Sequence, residues 1–357
     1  MRIFHKECKS LAMAGYDVTL IAPSESDGNR EGVQVRTVVP PRDRRERMTR
    51  TIWQVYRAAV RENGQIYHFH DPELIPVGAL LKFHGKHVVY DVHEDHSSDM
   101  SEKTWIPALL RIPVALSVRA CELLFTMIFD RVIVATPSIA RKFPAAKTRL
   151  VQNFPWMHEF GCTNGVPYEQ REPLAVYVGG LADARGLREM RHAVELAAKE
   201  TRIKLLTAGK VRRGAKAEFE RDPESRLVEH KGQLDRTRVG ELLARARIGL
   251  VLLHPTRNYM NAQPNKLFEY MSAGLPVVAS DFPLWRAIID SAQCGLLADP
   301  LNPAAIASAL VWLLRHPAEA AEMGRNGRRA VVEKYNWERE SVCLKATYAE
   351  LQPAQQA

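Results

Sequence analysis

Two α/β domains, each a doubly wound and mostly parallel sheet, are what this 357-residue sequence predicts, and three observations carry the prediction. Short apolar strand-like runs alternate with helical patterns along most of the chain, which is the rhythm of βα units. That rhythm stops at RLVQNFPW, residues 149–156, gives way to a stretch rich in Gly, Pro and polar residues through Arg171, and then restarts. The length is enough for two domains of ordinary size, each with its own core. The expected spans are 1–168 for the first domain and 169–336 for the second. Two such domains facing one another place a cleft between the carboxyl ends of their sheets.

The elements follow in order. IFHKECKSLAMAGY reads as an amphipathic helix ended near Gly15, and strand patterns follow at VTLIA (18–22), VQVRTVV (33–39), IYHFH (66–70), HVVYDVH (87–93) and RVIVAT (131–136). A Rossmann-like domain normally opens on a strand and a glycine-bearing turn. Here a helix comes first, so the first strand of the amino-terminal domain is expected to be missing. The second set comprises LAVYVGG (174–180), IKLLTAG (203–209), VEHKG (228–232), IGLVLLH (248–254), LPVVAS (275–280) and CGLLAD (294–299). The most apolar segment, Trp105 to Phe129, reads as a helix that is either core or interfacial. Pro107, Pro113, Arg111, Arg119 and Glu122 interrupt it, and central charges are costly in a bilayer, so it does not read as a span.

Composition narrows the function. With 46% hydrophobic and 25% charged residues the protein is ordinary and globular, and its net charge of +9 favours an anionic partner. Five scattered cysteines without a C-x-x-C pair argue against a disulfide framework or a structural zinc site and fit a reducing cytoplasm. No signal-peptide pattern opens the sequence. A nucleic-acid partner is not expected, because no aromatic platform is interleaved with basic positions. No G-x-G-x-x-G follows a strand, which disfavours a Rossmann dehydrogenase.

NAQPNKLFEYMSAGLPVVASD, residues 261–281, is the most informative stretch. Pro264 suits a first helical position, Gly274 a left-handed cap, and Pro276 blocks continuation. Leu267, Phe268 and Met271 form an apolar stripe for packing on a sheet, which leaves Asn265 with Glu269 and Lys266 with Tyr270 stacked on the other face. Unpaired N–H groups at the helix start, together with Lys266, suit an anion, most naturally a phosphate. In YVGGLADARGL, Gly179 and Gly180 let the backbone approach a ligand, and Arg185 can clamp a diphosphate with two donors. The bland alternatives are a solvated lysine, glycines serving a tight turn and a surface arginine.

On RIFHKECKSLAMAGYDVTLIAP, YHFHDPEL, VVYDVHED, YVGGLADARGL, PNKLFEYMSAGLPVVAS and the closing YNWERE helix, the chain resembles the retaining glycosyltransferases of family 4 over nearly its whole length. The resemblance implies the two-Rossmann GT-B fold and a closing helix, 337–357, that crosses back to the first domain. It implies a second domain that binds a nucleotide diphosphate sugar, with the helix start at Pro264, Asn265 and Lys266 on the diphosphate and Glu269 on the ribose hydroxyls. His93 aligns with a histidine that contacts the transferred sugar, and His70 with Asp71 ends the neighbouring strand on the acceptor side. The family's acidic residue eight positions before the glutamate is here Asn261, which can hydrogen-bond sugar hydroxyls but brings no negative charge. The basic residue expected just after the YVGG strand is absent, and Gly180 stands there. Lys266 and Arg185 would neutralise the leaving diphosphate without a metal, so no metal or other cofactor is expected.

His93, Glu94, Asp95 and His96 also invite a metal reading, which neighbouring residues pointing to opposite sides of extended chain argue against. The run PRDRRERMTR, 41–50, is a solvated loop and helix start or a contact for anionic lipid. The expected function is retaining transfer of a sugar to a glycan or lipid-linked acceptor, in cell-surface polysaccharide synthesis at the cytoplasmic face of the membrane. The rivals are an epimerase of the same fold and a catalytically silent GT-B subunit.

Overall fold

The computed structural model describes residues 2–95, 107–160, 166–212 and 227–352. It divides into two compact units, one made of Met1–Asn153 with Glu338–Ala357 and the other of Phe154–Trp337. The division therefore falls well ahead of residue 168. Phe154, in the segment that closes the first rhythm, and Phe160, in the Gly-, Pro- and polar-rich stretch after it, pack into the core of the second unit beside Phe268 and Tyr335, and apolar burial decides their allegiance.

The first unit opens on a helix, π-type over Ile3–Cys8 and α-type over Lys9–Met13 (together α1), which leads to β1 (Val18–Ala22). Gly15, at φ +90°, makes the turn between them. β2 (Gly28–Arg30) pairs antiparallel and β1 pairs parallel with β3 (Val33–Thr37). After α2 (Ile52–Glu62) come β4 (Ile66–Phe69), α3 (Ile75–Phe83) and β5 (His87–Val92), then α4 (Ala108–Ile128), β6 (Arg131–Val134) and β7 (Thr148–Leu150). The strands form two sheets, β1-β3-β2 and the all-parallel β4-β5-β6-β7. Among the described residues β1 and β4 are each the edge strand of their sheet.

α4 is core on one face only. One face carries Glu122, which accepts a hydrogen bond from Tyr90 Oη at 3.0 Å, and the buried Thr126. The other is bare, with Leu109, Ile112, Leu116, Leu124 and Met127 all exposed. Among the described residues no helix is long and apolar enough to cross a membrane.

The second unit is one parallel sheet in the order β10-β9-β8-β11-β12-β13. Its strands are Leu174–Val178 (β8), Lys204–Ala208 (β9), Val228–His230 (β10), Ile248–Val251 (β11), Val277–Ser280 (β12) and Gly295–Ala298 (β13). α5 (Leu187–Ala197) follows β8, α6 (Arg236–Arg245) precedes β11, and α7 (Asn265–Ser272) precedes β12. Apolar clusters cover both sheet faces, as a buried parallel sheet requires. Leu267, Phe268 and Met271 of α7 are essentially sealed from water, each stabilising by about 1.5–3 kcal/mol.

Two details of α7 differ from expectation. Pro264 is the residue before the first turn, at φ −72° and ψ 124°, and Asn265 opens the helix. Tyr270 does not share a free face with Lys266. It is fully buried, accepts the Val178 N–H at 2.8 Å, and lies against Gly249, where a Cβ would come within 2.4 Å of its ring. Gly274 ends the helix at φ +66°, as expected.

Candidate functional site

In the second unit the strand order reverses between β8 and β11, so the loops leaving their carboxyl ends diverge and open a crevice. β8 runs into Gly179, at φ +138°, and Gly180. A short 3-10 turn, Asp183–Arg185, follows, then Gly186 at φ +71° and the start of α5. A Cβ on Gly186 would stand 2.2 Å from the Leu252 carbonyl oxygen, so this loop and the β11 exit are in direct backbone contact.

Lys266, in the first turn of α7, crosses to this loop. Its Nζ sits 3.5 Å from the centre of the Tyr177 ring, and a Cβ on Gly179 would come within 3.1 Å of it. The absence of a side chain at 179 is what admits the ammonium. Nζ is buried and makes no hydrogen bond among the described residues. Burial, with the Arg185 charge beside it, holds this amine well below the ordinary lysine value. Arg185 Nη1 donates to the Gly180 carbonyl at 3.2 Å, and Tyr177 Oη donates to the same oxygen at 3.1 Å. Lys266, Arg185 and the first turn of a helix thus converge on one glycine loop, with Glu269 the carboxylate whose charge partly offsets the effect of burial on Lys266, an arrangement suited to a multiply charged anion.

Glu269 lies one turn further along α7. Its Oε1 accepts from Arg236 Nη1 at 2.9 Å, and Arg236 also pairs with Glu159 and packs over the Phe160 ring. A bidentate acceptor held this way can receive two hydroxyls on its remaining lone pairs. Asn261 is exposed at the end of a short helix, Arg257–Asn261, where its Nδ2 donates to the Arg257 carbonyl at 2.9 Å. Tyr177, Arg236 and Glu159 escaped the sequence reading, because nothing local marks an aromatic in a buried strand or an arginine far from its carboxylate.

The first unit holds a different cluster. His70 and His93 stack with centroids 4.7 Å apart and 13° between planes, and His68 stacks on the other side of His70, also at 4.7 Å. Asp91, fully buried on β5, underlies all three, at 3.4 Å from His68 Nε2, 3.6 Å from His70 Nδ1 and 3.3 Å from His93 Nδ1. Burial alone would raise its carboxyl. Arg2, which donates to both oxygens, and the histidines outweigh that and hold it well below the usual range. Burial pushes His93 down to about 3 and His68 to about 4, so both rings are neutral. Neither ring nitrogen of His93 makes a hydrogen bond among the described residues.

Asp71 is not in this cluster. It is exposed and pairs with Arg47 at 3.3 Å. Of the residues considered for a metal, Asp95 pairs with Lys142 and His96 lies outside the described residues. Glu7, His68, His70 and Asp91 do bring ligand-type atoms within 4.8 Å of one another. Arg2 donates to Glu7 as well as Asp91 and already supplies a cation there.

Residues 2–153 match the family described as the glycosyl transferase 4-like domain, and residues 172–316 match glycosyl transferases group 1. A phosphatidyl-myo-inositol mannosyltransferase of Mycobacterium leprae is 39% identical over 71 residues, 20% of this chain and 19% of the relative. The chain thus spans about a fifth of the length of the curated relatives it matches. Among solved structures, a sucrose-phosphate synthase of Thermosynechococcus elongatus superposes with a TM-score of 0.75 at 21% identity, over 96% of this chain and 91% of that one. HepE of Anabaena, solved in complex with UDP, gives 0.69 at 12% identity, over 94% and 100%. These two likenesses establish the fold as GT-B.

Proposed function

The chain belongs to the group 1 glycosyl transferases, and we propose that it transfers a sugar from a nucleotide diphosphate sugar to a glycan or lipid-linked acceptor with retention of configuration. The observation that carries this reading is Lys266, a buried ammonium without a hydrogen-bond partner among the described residues, held at a helix start beside a glycine loop and Arg185. The diphosphate is the partner it lacks. Lys266 and Arg185 take up the charge that develops on the leaving diphosphate, a role that needs no metal. Glu269, oriented by Arg236, accepts the ribose hydroxyls, and the neutral His93 is the first unit's group for hydrogen-bonding a sugar hydroxyl. The acceptor oxygen attacks the anomeric carbon on the face the diphosphate leaves. As the new C–O bond forms and the old one breaks, the acceptor proton passes to a phosphate oxygen, so no side-chain nucleophile is required.

The acceptor belongs to the first unit, on the side of His70. Peripheral attachment to the cytoplasmic leaflet is part of this reading, supported by the bare apolar face of α4 and the exposed Arg42, Arg44 and Arg45. Asn261 favours a second reading, a donor-binding subunit without turnover, since an amide at this position brings no negative charge. A panel of nucleotide sugars tests both. A ligand present at a hundred times its Kd adds about 2.7 kcal/mol of stability and identifies the donor. Incubation with acceptor then separates transfer from silent binding, and product formation without acceptor would indicate an epimerase.

A further inference from the structure

The second unit holds a cavity of about 380 Å³ at the opposite end of its sheet from the glycine loop. Gln170, Arg171 and Glu172, just ahead of β8, line one side of it, and Glu241 and Arg245 of α6, just ahead of β11, line the other. Hydrogen bonds tie the two segments together. The Glu172 N–H donates to the Arg245 carbonyl at 3.0 Å, and Tyr168 Oη donates to the Arg247 carbonyl at 3.1 Å. Arg247 donates through Nε to the Arg171 carbonyl at 2.9 Å and through Nη2 to that of Glu169 at 2.8 Å. Arg171 itself is 8% exposed, yet its Nε and Nη1 are buried atoms without a hydrogen-bond partner, and no carboxylate pairs with it among the described residues. The adjacent carboxylate, Glu172, is taken by Arg245 at 2.7 Å instead. The Tyr168 ring lies 5.8 Å from the Arg171 guanidinium and is shared with Arg247 at 6.0 Å. Burial is the main reason this guanidinium sits below the ordinary arginine value, and Tyr168 and Glu169 offset only part of it.

A buried charge left unpaired destabilises a fold, whereas an apolar residue of similar volume does not. We infer that this cavity binds a phosphorylated sugar, with the phosphoryl group on the Arg171 guanidinium and the sugar hydroxyls on Glu241 and Glu172. A guanidinium fork matches phosphate oxygens two at a time, so the phosphoryl group supplies the counter-charge that Arg171 lacks. The carboxylates decide the rest of the ligand. Glu241, exposed on the facing wall, repels a bare anion but accepts hydroxyl donors, and Glu172 keeps free lone pairs beyond its bond from Arg245. A cation on one wall and acceptors on the other select a molecule with one charged end and one hydroxylated end, and the volume is that of a small-molecule site. Arg171 and Arg245 precede the amino ends of β8 and β11, while Gly179 and Gly186 follow β8 at the carboxyl end of the sheet, so the occupant is not the nucleotide sugar of the crevice. The inference holds whether or not that crevice binds a donor.

Titration calorimetry on the full chain, with and without Lys266→Met to disable the crevice, tests it with four probes: glucose 1-phosphate, glucose 6-phosphate, inorganic phosphate and glucose. In both proteins at least one hexose phosphate should bind at least tenfold more tightly than inorganic phosphate, and glucose should give no heat. Arg171→Met should abolish hexose phosphate binding while raising the melting temperature of the free protein. If that variant is less stable instead, Arg171→Lys keeps the charge without the planar fork and should weaken binding at least tenfold. Glu241→Ala should weaken hexose phosphate at least fivefold and leave inorganic phosphate as tight or tighter. No binding of either hexose phosphate, inorganic phosphate bound as tightly as both, or affinity undiminished by Arg171→Met or Arg171→Lys would each overturn the inference. So would binding that vanishes with Lys266→Met, which would belong to the glycine-loop crevice.

Discussion

Lys266 holds its Nζ 3.5 Å from the centre of the Tyr177 ring, on a strand almost ninety positions earlier in the chain, and takes no hydrogen bond there among the described residues. The ring face offers a cation–π contact, which compensates only part of the lost hydration. In the proposed function the donor diphosphate supplies the remaining partner.

The first prediction is a proton linkage. The Lys266 pKa is depressed in the free protein, by burial first and Arg185 second. A diphosphate beside it raises that pKa again. Between the two values, donor binding takes up a proton, and affinity falls as pH rises through the window. Calorimetry of nucleotide diphosphate binding in two buffers of different ionisation enthalpy measures this uptake, and the Lys266→Met protein should show none. Equal proton counts in both proteins would remove Lys266 from the site. For the free protein the sign is the reverse. A depressed lysine means that the unfolded chain binds the extra proton, so its contribution to stability grows with pH up to the ordinary lysine value.

Glu269→Gln should weaken nucleotide binding by about 1.5–3 kcal/mol, the loss of hydrogen bonds to a charged acceptor. Stability without ligand should fall by no more than about 1 kcal/mol, because Arg236 keeps Glu159 and the pair is partly exposed. Titration calorimetry and urea unfolding on one preparation separate the two effects. Unchanged affinity in the folded variant would leave Glu269 as a partner of Arg236 alone.

Gly186→Ala should be severely destabilising, by about 2–4 kcal/mol or more, because its Cβ would meet the Leu252 carbonyl at 2.2 Å in a backbone already at φ +71°. Gly232→Ala is the control. It has φ +69° but open space around the new Cβ, so only the conformational cost of about 1–2 kcal/mol remains. Comparable unfolding midpoints for the two would mean that the β8 and β11 loops do not touch in solution.

Vesicle sedimentation should show binding that needs anionic lipid and weakens with salt, each basic side chain contributing about 1 kcal/mol. Arg42→Gln, Arg44→Gln and Arg45→Gln together should abolish most of it. Arg47 is spared from the set because Asp71 and Glu73 already engage it. A second variant, Leu116→Ser with Leu124→Ser on the exposed face of α4, should reduce binding without lowering stability. Equal binding to neutral vesicles would point to a water-soluble acceptor.

Most strands and the helix at 265–272 could be read along the chain because they are written in short-range chemistry. Alternating apolar runs make strands, Leu267, Phe268 and Met271 make a stripe, and Gly274 with Pro276 stops it, each within a few residues. The same locality let Lys266, Glu269, Gly179 and Arg185 be singled out as ligand-facing. What the sequence could not show was which distant group completes each of them. Tyr177 beneath Lys266, Arg236 on Glu269, Arg2 on Asp91, Tyr270 sealed against Gly249 and the cavity lined by Arg171 were decided only in three dimensions. The physical reason is that burial and charge pairing depend on which surfaces the folded chain brings together, and the residues involved carry no local pattern that distinguishes a buried partner from a solvated one.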